Sequence, residues 1–244
     1  MNLHRLLDAR LAAGKPVRVA LIGSGKFGSM FLSQVPHTPG LEVPVIVDLD
    51  PQRAREACRT VGWDTERIAA TTFTADSAKA TSGNIEVIVE ATGNPAVGIR
   101  HARAAITAGK HIVMVNVEAD VLAGPLLAEE ARKAGVVYSL AYGDQPALTA
   151  ELVDWARATG FRVVAAGKGT KYLPIYHDVT PAGVWSHYGL TAAEAQSAGM
   201  NPQMFNSFLD GRRCRARRAC RSSRRRRRGR GRPSRWSGRS RPRR

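Results

Sequence analysis

Residues 17–48 read VRVALIGSGKFGSMFLSQVPHTPGLEVPVIVD, and this stretch decides the fold. A short apolar run over 17–22 predicts a buried parallel strand. Gly23-Ser24-Gly25-Lys26-Phe27-Gly28 follows at once as a glycine-rich turn, leading into a helical pattern with Phe27, Met30, Phe31 and Val35 on one face. A second apolar run at 43–47 ends on Asp48, 20 positions after Gly28. The spacing is G-x-G-x-x-G in strand–turn–helix–strand context, with an acid at the end of the second strand.

Each residue type has a physical task there. Gly23 permits the tight turn out of the strand, Gly25 lets the backbone approach a pyrophosphate, and Gly28 lets the helix pack close to the strand. The phosphates would sit at the helix N-terminus, where free N–H groups point outward. Asp48 could accept hydrogen bonds from the adenosine ribose. A glycine-rich turn in some other α/β protein would leave the position of Asp48 a coincidence, so the stretch is read as a dinucleotide site. Asp48 favours NAD, because a 2′-phosphate there meets like charge; Arg53 and Arg55 lie close enough in sequence to hold that phosphate instead. The cofactor is therefore read as NAD or NADP. Gly23, Ser24, Gly25, Lys26, Phe27, Gly28, Asp48 and Arg53 are its candidate ligands.

The 244 residues carry a formal charge of +17, which suggests a nucleic-acid binder until the charge is located. Residues 211–244 hold 18 of the 37 basic residues and no acid, leaving residues 1–210 with 19 basic against 20 acidic side chains. The body is thus near-neutral. Cys58 falls in a helical pattern, and Cys214 and Cys220 fall in the basic segment, so no disulfide framework is expected and a reducing cytoplasm is the default. The N-terminal pattern (Leu3, Leu6, Leu7, Leu11) predicts an amphipathic helix without a signal-type apolar core, and no run is long enough to span a bilayer.

Beyond Asp48 the alternation continues. Helices are expected over 51–61, from 95 to 108, over 121–134 and over 146–159. Strands are expected over 71–74, 85–90, 111–117, 136–140 and 161–166. Short connections between alternating strands and helices imply a parallel sheet covered on both faces. After 167 the pattern loosens into aromatics, prolines and histidines, a region where substrate residues often begin.

Other candidates lie at predicted strand ends, where such sheets bind ligands. Thr92 and Gly93, in Ala91-Thr92-Gly93-Asn94-Pro95, leave room for a ribose or nicotinamide, or form an ordinary strand-to-helix turn. Asn116 could contact cofactor or substrate and Glu118 could act as acid or metal ligand; a helix-capping Asn with a first-turn Glu explains them equally well. Asp144 precedes a proline-started helix and reads more readily as an N-cap than as a catalyst. Lys168 and Lys171, beside Tyr172, could bind phosphate or donate a proton to a carbonyl oxygen. His177 and His187 flank Asp178 without compact metal-ligand spacing, and no metal site is assigned.

GSGKFGSM (23–30), IVEATGNP (88–95), AGKHIVMVNVEADVLAGPLL (108–127), YSLAYGDQPAL (138–148) and AAGKGTKYLP (165–174) together resemble the homoserine-dehydrogenase-like oxidoreductases, closest to the deoxyxylulose-phosphate reductoisomerase-like branch. The resemblance covers nearly all of residues 1–210. It implies a Rossmann domain followed by a catalytic and dimerisation domain, a homo-oligomer when full length, NADP(H) as favoured cofactor, and a small-molecule substrate. True homoserine dehydrogenases place a lysine soon after the asparagine that here is Asn116; this chain has Glu118, which argues against homoserine. Glu118, Asp144, Lys168 and Lys171 are the catalytic candidates by position. The reductoisomerase-like branch would also imply acids holding a divalent cation, for which Glu118 and Asp144 form the pair to test.

From Gly211 onward only Gly, Arg, Cys, Ala, Ser, Pro and Trp occur, and the change falls inside an unfinished helical pattern. The expectation is an out-of-frame, disordered segment and a truncated catalytic domain; a basic arm that binds nucleic acid and a functionless tail are the competing readings. The sequence thus predicts an α/β protein: a Rossmann-type doubly wound sheet over 1–140, a partial catalytic domain over 141–210 and an Arg-rich tail over 211–244. Its expected activity is hydride transfer between NAD(P) and a small hydroxy or carbonyl compound, phosphorylated compounds included. The alternative is a nucleic-acid-binding protein using the tail, with the Rossmann body as NAD(P) sensor.

Overall fold

The computed structural model describes residues 3–143, 145–167, 173–197 and 200–209. The chain divides into two compact units, Met1–Gly169 and Thr170–Arg244. In the first, helix α1 (Leu3–Ala12) precedes β1 (Val17–Ile22), α2 (Lys26–Gln34), β2 (Leu41–Val47), α3 (Pro51–Thr60), α4 (Thr65–Ala70), β3 (Thr72–Thr74) and α5 (Ala78–Thr81). Then come β4 (Val87–Glu90), α6 (Pro95–Thr107), β5 (His111–Met114), α7 (Val117–Ala134), β6 (Tyr138–Leu140) and α8 (Gln145–Ala158). The strands form one parallel sheet in the order β3-β2-β1-β4-β5-β6. The chain starts at the middle and winds out to both edges, so the order reverses between β1 and β4.

Alternation along β1 explains why the sheet is covered twice. Val19 and Leu21 pack on one face with Leu32, Ala54, Cys58, Trp63 and Ile68 from α2, α3 and the residues around α4. Ala20 and Ile22 pack on the other with Ala80, Ala102, Ile106, Ala119 and Leu127 from α5, α6 and α7. A strand apolar on both faces has no polar side to give to water, and only helices on both sides can bury it. This is the Rossmann-type doubly wound fold that the sequence predicts.

Local signals start and stop the helices. Pro51 starts α3 behind the Asp50 cap, whose carboxylate accepts from the N–H groups of Gln52 and Arg53. Asn94 and Asn116 cap α6 and α7 in the same way. Gly135 ends α7 at φ +70°, a conformation that favours glycine.

Several expectations need correction. β5 stops at Met114 and α7 starts at Val117, because the Asn116 cap begins the helix four residues before the expected start. Helices α4 and α5 were not expected. No strand forms over 161–166: the sheet ends at β6 among the described residues, and Phe161 and Val164 are 65% and 81% exposed. An apolar run becomes a strand only where a neighbouring edge takes its N–H and C=O groups. Helix α1 forms, yet Leu3, Leu6 and Leu11 remain exposed.

The second unit has its own apolar cluster. Val184, Trp185 and Ala195 are buried with Val179, Leu190, Met200, Phe205 and Leu209, the last two from α10 (Pro202–Leu209), which follows α9 (Ala192–Ser197). No helix among the described residues is long and apolar enough to cross a membrane.

Candidate cofactor site

The reversal between β1 and β4 brings two strand-to-helix turns together at the C-terminal edge of the sheet, the place where ligands of open α/β sheets bind. The β1–α2 turn is set by its glycines. Gly23 has φ +96°, and a Cβ there would lie 2.8 Å from the Ala91 carbonyl carbon and oxygen and 2.9 Å from the Thr92 nitrogen. A Cβ on Gly28 would run into the carbonyl oxygen of Gly23. These neighbours are backbone and cannot move aside. Gly25 differs: nothing lies within 4 Å of its Cβ position, and Gly25, Lys26 and Phe27 are exposed. The N-terminus of α2 therefore opens on free space, bare of side chain at its cap residue. Two glycines close the turn and the third leaves it accessible, which fits a pyrophosphate against the helix N-terminus.

Asp48 is 7% exposed and holds this turn in place. Its Oδ2 accepts the Ser24 N–H at 2.8 Å and the Ser24 hydroxyl at 2.6 Å; its Oδ1 accepts the Asp50 N–H at 3.0 Å and Arg53 Nη2 at 2.9 Å. Burial pushes the Asp48 carboxyl up, but hydrogen bonds from Ser24, Asp50 and Arg53 outweigh it and hold the group below the usual carboxylate range. Asp48 is thus first an internal strut joining β2 to the glycine turn. The Arg53 side chain is 64% exposed.

The neighbouring turn is organised by a residue that sequence reading missed. Glu90, the last residue of β4, is fully buried. Its Oε1 accepts the Thr92 N–H at 3.3 Å and the Thr92 hydroxyl, and faces His101 Nδ1 at 3.3 Å. A carboxylate only accepts, so this contact selects the His101 tautomer protonated on Nδ1. Nearby, the Tyr138 hydroxyl donates to Asp120 Oδ1 at 2.9 Å. Burial, the Asp120 carboxylate and the Glu90 charge all push the Tyr138 hydroxyl well above its ordinary value. The available signal for Glu90 was an acid closing an apolar strand, in register with buried Ile88 two residues before it.

The structure thus links most of the cofactor candidates in one line along the sheet edge. Arg53 touches Asp48, Asp48 touches Ser24, Gly23 abuts Ala91 and Thr92, and Thr92 touches Glu90. Gly93 completes that turn at φ +72°. Asn116 caps α7, its Oδ1 accepting the Ala119 N–H at 3.1 Å. Glu118 lies exposed in the first turn of α7. Asp144, Lys168 and Lys171 lie outside the described residues. Among the described residues no group of His, Cys, Asp and Glu is arranged to hold a metal ion.

Residues 17–142 match the oxidoreductase family with an NAD-binding Rossmann fold, GFO/IDH/MocA. Residues 143–220 match the catalytic domain described as that of oxidoreductase DRL. Similar solved structures include a homoserine dehydrogenase from Thiobacillus denitrificans, 20% identical over 52% of this chain and 29% of that one, with a TM-score of 0.44. The WlbA dehydrogenase of Bordetella pertussis, in complex with NADH and UDP-GlcNAcA, is 21% identical over 60% and 44%, with a TM-score of 0.45. Biliverdin reductase from Synechocystis, in complex with biliverdin and NADP+, is 21% identical over 52% and 38%, with a TM-score of 0.43. The matched region spans less than half the length of each of these proteins. No curated protein sequence gave a significant match.

Proposed function

The chain belongs to the oxidoreductase family with an NAD-binding Rossmann fold, and on that premise we propose that it moves a hydride between the nicotinamide of NAD(P) and a small hydroxy or carbonyl compound, phosphorylated compounds included. The observation that carries this reading is the β1–α2 turn, closed at Gly23 and Gly28 and open at Gly25, tied by Ser24 to the buried Asp48. When bound, the dinucleotide supplies the hydride chemistry. The residues of this chain bind and orient it. The α2 N-terminus would hold the pyrophosphate, Arg53, steadied by Asp48, would hold the 2′ side of the adenosine ribose, and Thr92 and Gly93 would hold the nicotinamide half.

The choice between NAD and NADP falls to Asp48 and Arg53. Four donors already fill Asp48, whereas the exposed Arg53 guanidinium has donors to spare for a 2′-phosphate. We therefore assign the site to NADP(H) ahead of NAD(H). Arg53→Ala is expected to weaken NADPH binding about tenfold and leave NADH nearly unchanged. Equal loss of both would remove this assignment.

The quoted motifs support a homoserine-dehydrogenase-like enzyme nearest the reductoisomerase-like branch, with domains over 1–140 and 141–210 and homo-oligomeric assembly. Glu118, Asp144, Lys168 and Lys171 would supply proton transfer and charge stabilisation. Titration of the purified chain with NADH and NADPH, followed by fluorescence, tests the cofactor reading, and failure to bind either would overturn it. Removing residues 211–244 should leave those affinities intact. Loss of binding on that deletion would instead favour a role for the basic segment.

A further inference from the structure

Glu90 combines full burial with incomplete pairing. Its Oε1 is shared by Thr92 and His101, while its Oε2 has no hydrogen-bond partner. Asn116 Nδ2, on a side chain 3% exposed, also has none. Both atoms face one spot. A Cβ built on Gly98 would lie 2.9 Å from Glu90 Oε2 and 2.9 Å from Asn116 Nδ2, with the Ala119 Cβ at 3.3 Å. An acceptor from the end of β4 and a donor from the cap of α7 therefore pack directly on the side-chain-free surface of α6, and only a glycine at 98 lets both come so close.

The chemistry of that spot is restricted. Asn116 Oδ1 is committed to the Ala119 N–H, so the NH2 group is the part that points to Gly98. Whatever joins the two atoms must accept from the amide and donate to the carboxylate. A cation cannot accept, whereas a water molecule does both. Leaving a buried carboxylate oxygen and a buried amide unpaired would be costly for each.

We propose that Glu90 is a positioning residue for the nicotinamide half of the site, holding the 91–94 turn through Thr92 and the α7 cap through one buried water shared with Asn116. Glu90 itself touches no cofactor. It fixes the backbone of two turns at the sheet edge relative to each other, where α6 and α7 pack together. The positioning role rests on the cofactor reading above; the water bridge does not.

A crystal structure of the full chain that shows ordered water tests the bridge. A peak within hydrogen-bond reach of both Glu90 Oε2 and Asn116 Nδ2 is expected; an empty gap or a direct bond between them overturns it. Binding of NADPH to variants, measured beside their melting midpoints, tests the positioning. Glu90→Gln keeps an oxygen for Thr92 and offers an amide to the water, so its affinity should stay within about twofold of wild type. Glu90→Ala, and Gly98→Ala whose Cβ would meet Glu90 Oε2 and Asn116 Nδ2 at 2.9 Å and push both aside, should each weaken binding about tenfold. Equal affinity of Glu90→Ala and wild type, or equal loss in Glu90→Gln and Glu90→Ala, overturns the role. Should the alanine variants not fold, the Gln variant and the wild-type density still decide. A wild type binding neither NADH nor NADPH would defeat the cofactor reading and the positioning with it, while the density between Glu90 and Asn116 still decides the bridge.

Discussion

The two turns that meet at the switch point of the sheet are built in opposite ways. The β1–α2 turn has almost no side chains: Gly23 and Gly28 bring backbone against backbone, and Gly25 leaves open space in front of α2. The β4–α6 turn is held from below by a buried carboxylate, with Thr92, His101 and Asn116 arranged around it. One turn is defined by what is missing, the other by a polar group placed where only burial makes it matter. The first can be read along the chain. The second depends on β4, α6 and α7 arriving at the same place.

The sharpest way to break the contrast is at Gly28. Gly28→Ala sets a Cβ against the Gly23 carbonyl, a backbone atom that cannot yield, so a loss of about 3 kcal/mol or more is expected in denaturant unfolding, with NAD(P)H binding abolished. A variant as stable as wild type would mean that the turn is not closed by close approach.

Next in size is Asp48→Ala, which leaves Ser24 without its acceptor and should cost about 2 kcal/mol. It also has a pH signature. The carboxyl is held below its unfolded value of 3.8, so its stabilisation is complete above that value and is lost as pH falls through the folded one. Melting midpoints of wild type should decline more steeply than those of Asp48→Ala below about pH 4.

Gly25→Glu sharpens the contrast with Gly28. Open space at the Cβ position predicts a stability change within about 1 kcal/mol, while an acid placed before the helix N-terminus should abolish NAD(P)H binding. The smallest effect concerns Cys58, in the layer beside the first turn. Burial pushes its thiol up to about 11, against a smaller opposing effect of Arg55, so Cys58 in the native protein should resist alkylation at neutral pH when labelling is mapped by residue. Rapid labelling would show that this layer opens readily.

Legibility followed the range of the forces involved. Strands β1, β2 and β4 were readable because residues buried on both faces leave largely apolar runs. The starts of α3 and α6 were readable because Pro51 and Pro95 suit the first turn of a helix, and the capping alternative for Asn116 because its side chain acts on an N–H three residues away. The 161–166 run misled because strand formation is decided by a partner, and none is present among the described residues. Glu90 was passed over for a related reason. A terminal glutamate on a strand usually reaches water, and here two helices close over it.

By itself, then, the order of residues determined the strand–turn–helix unit at 17–48 and the doubly wound α/β architecture, since glycine conformation, capping and period-two burial act within a few residues. Tertiary structure alone decided that Asp48 spends an oxygen on Ser24, and that Glu90 and Asn116 both pack on Gly98. Those contacts join residues 24 positions apart in one case and 26 in the other, and only the packing of α6 and α7 on the sheet brings the second pair together.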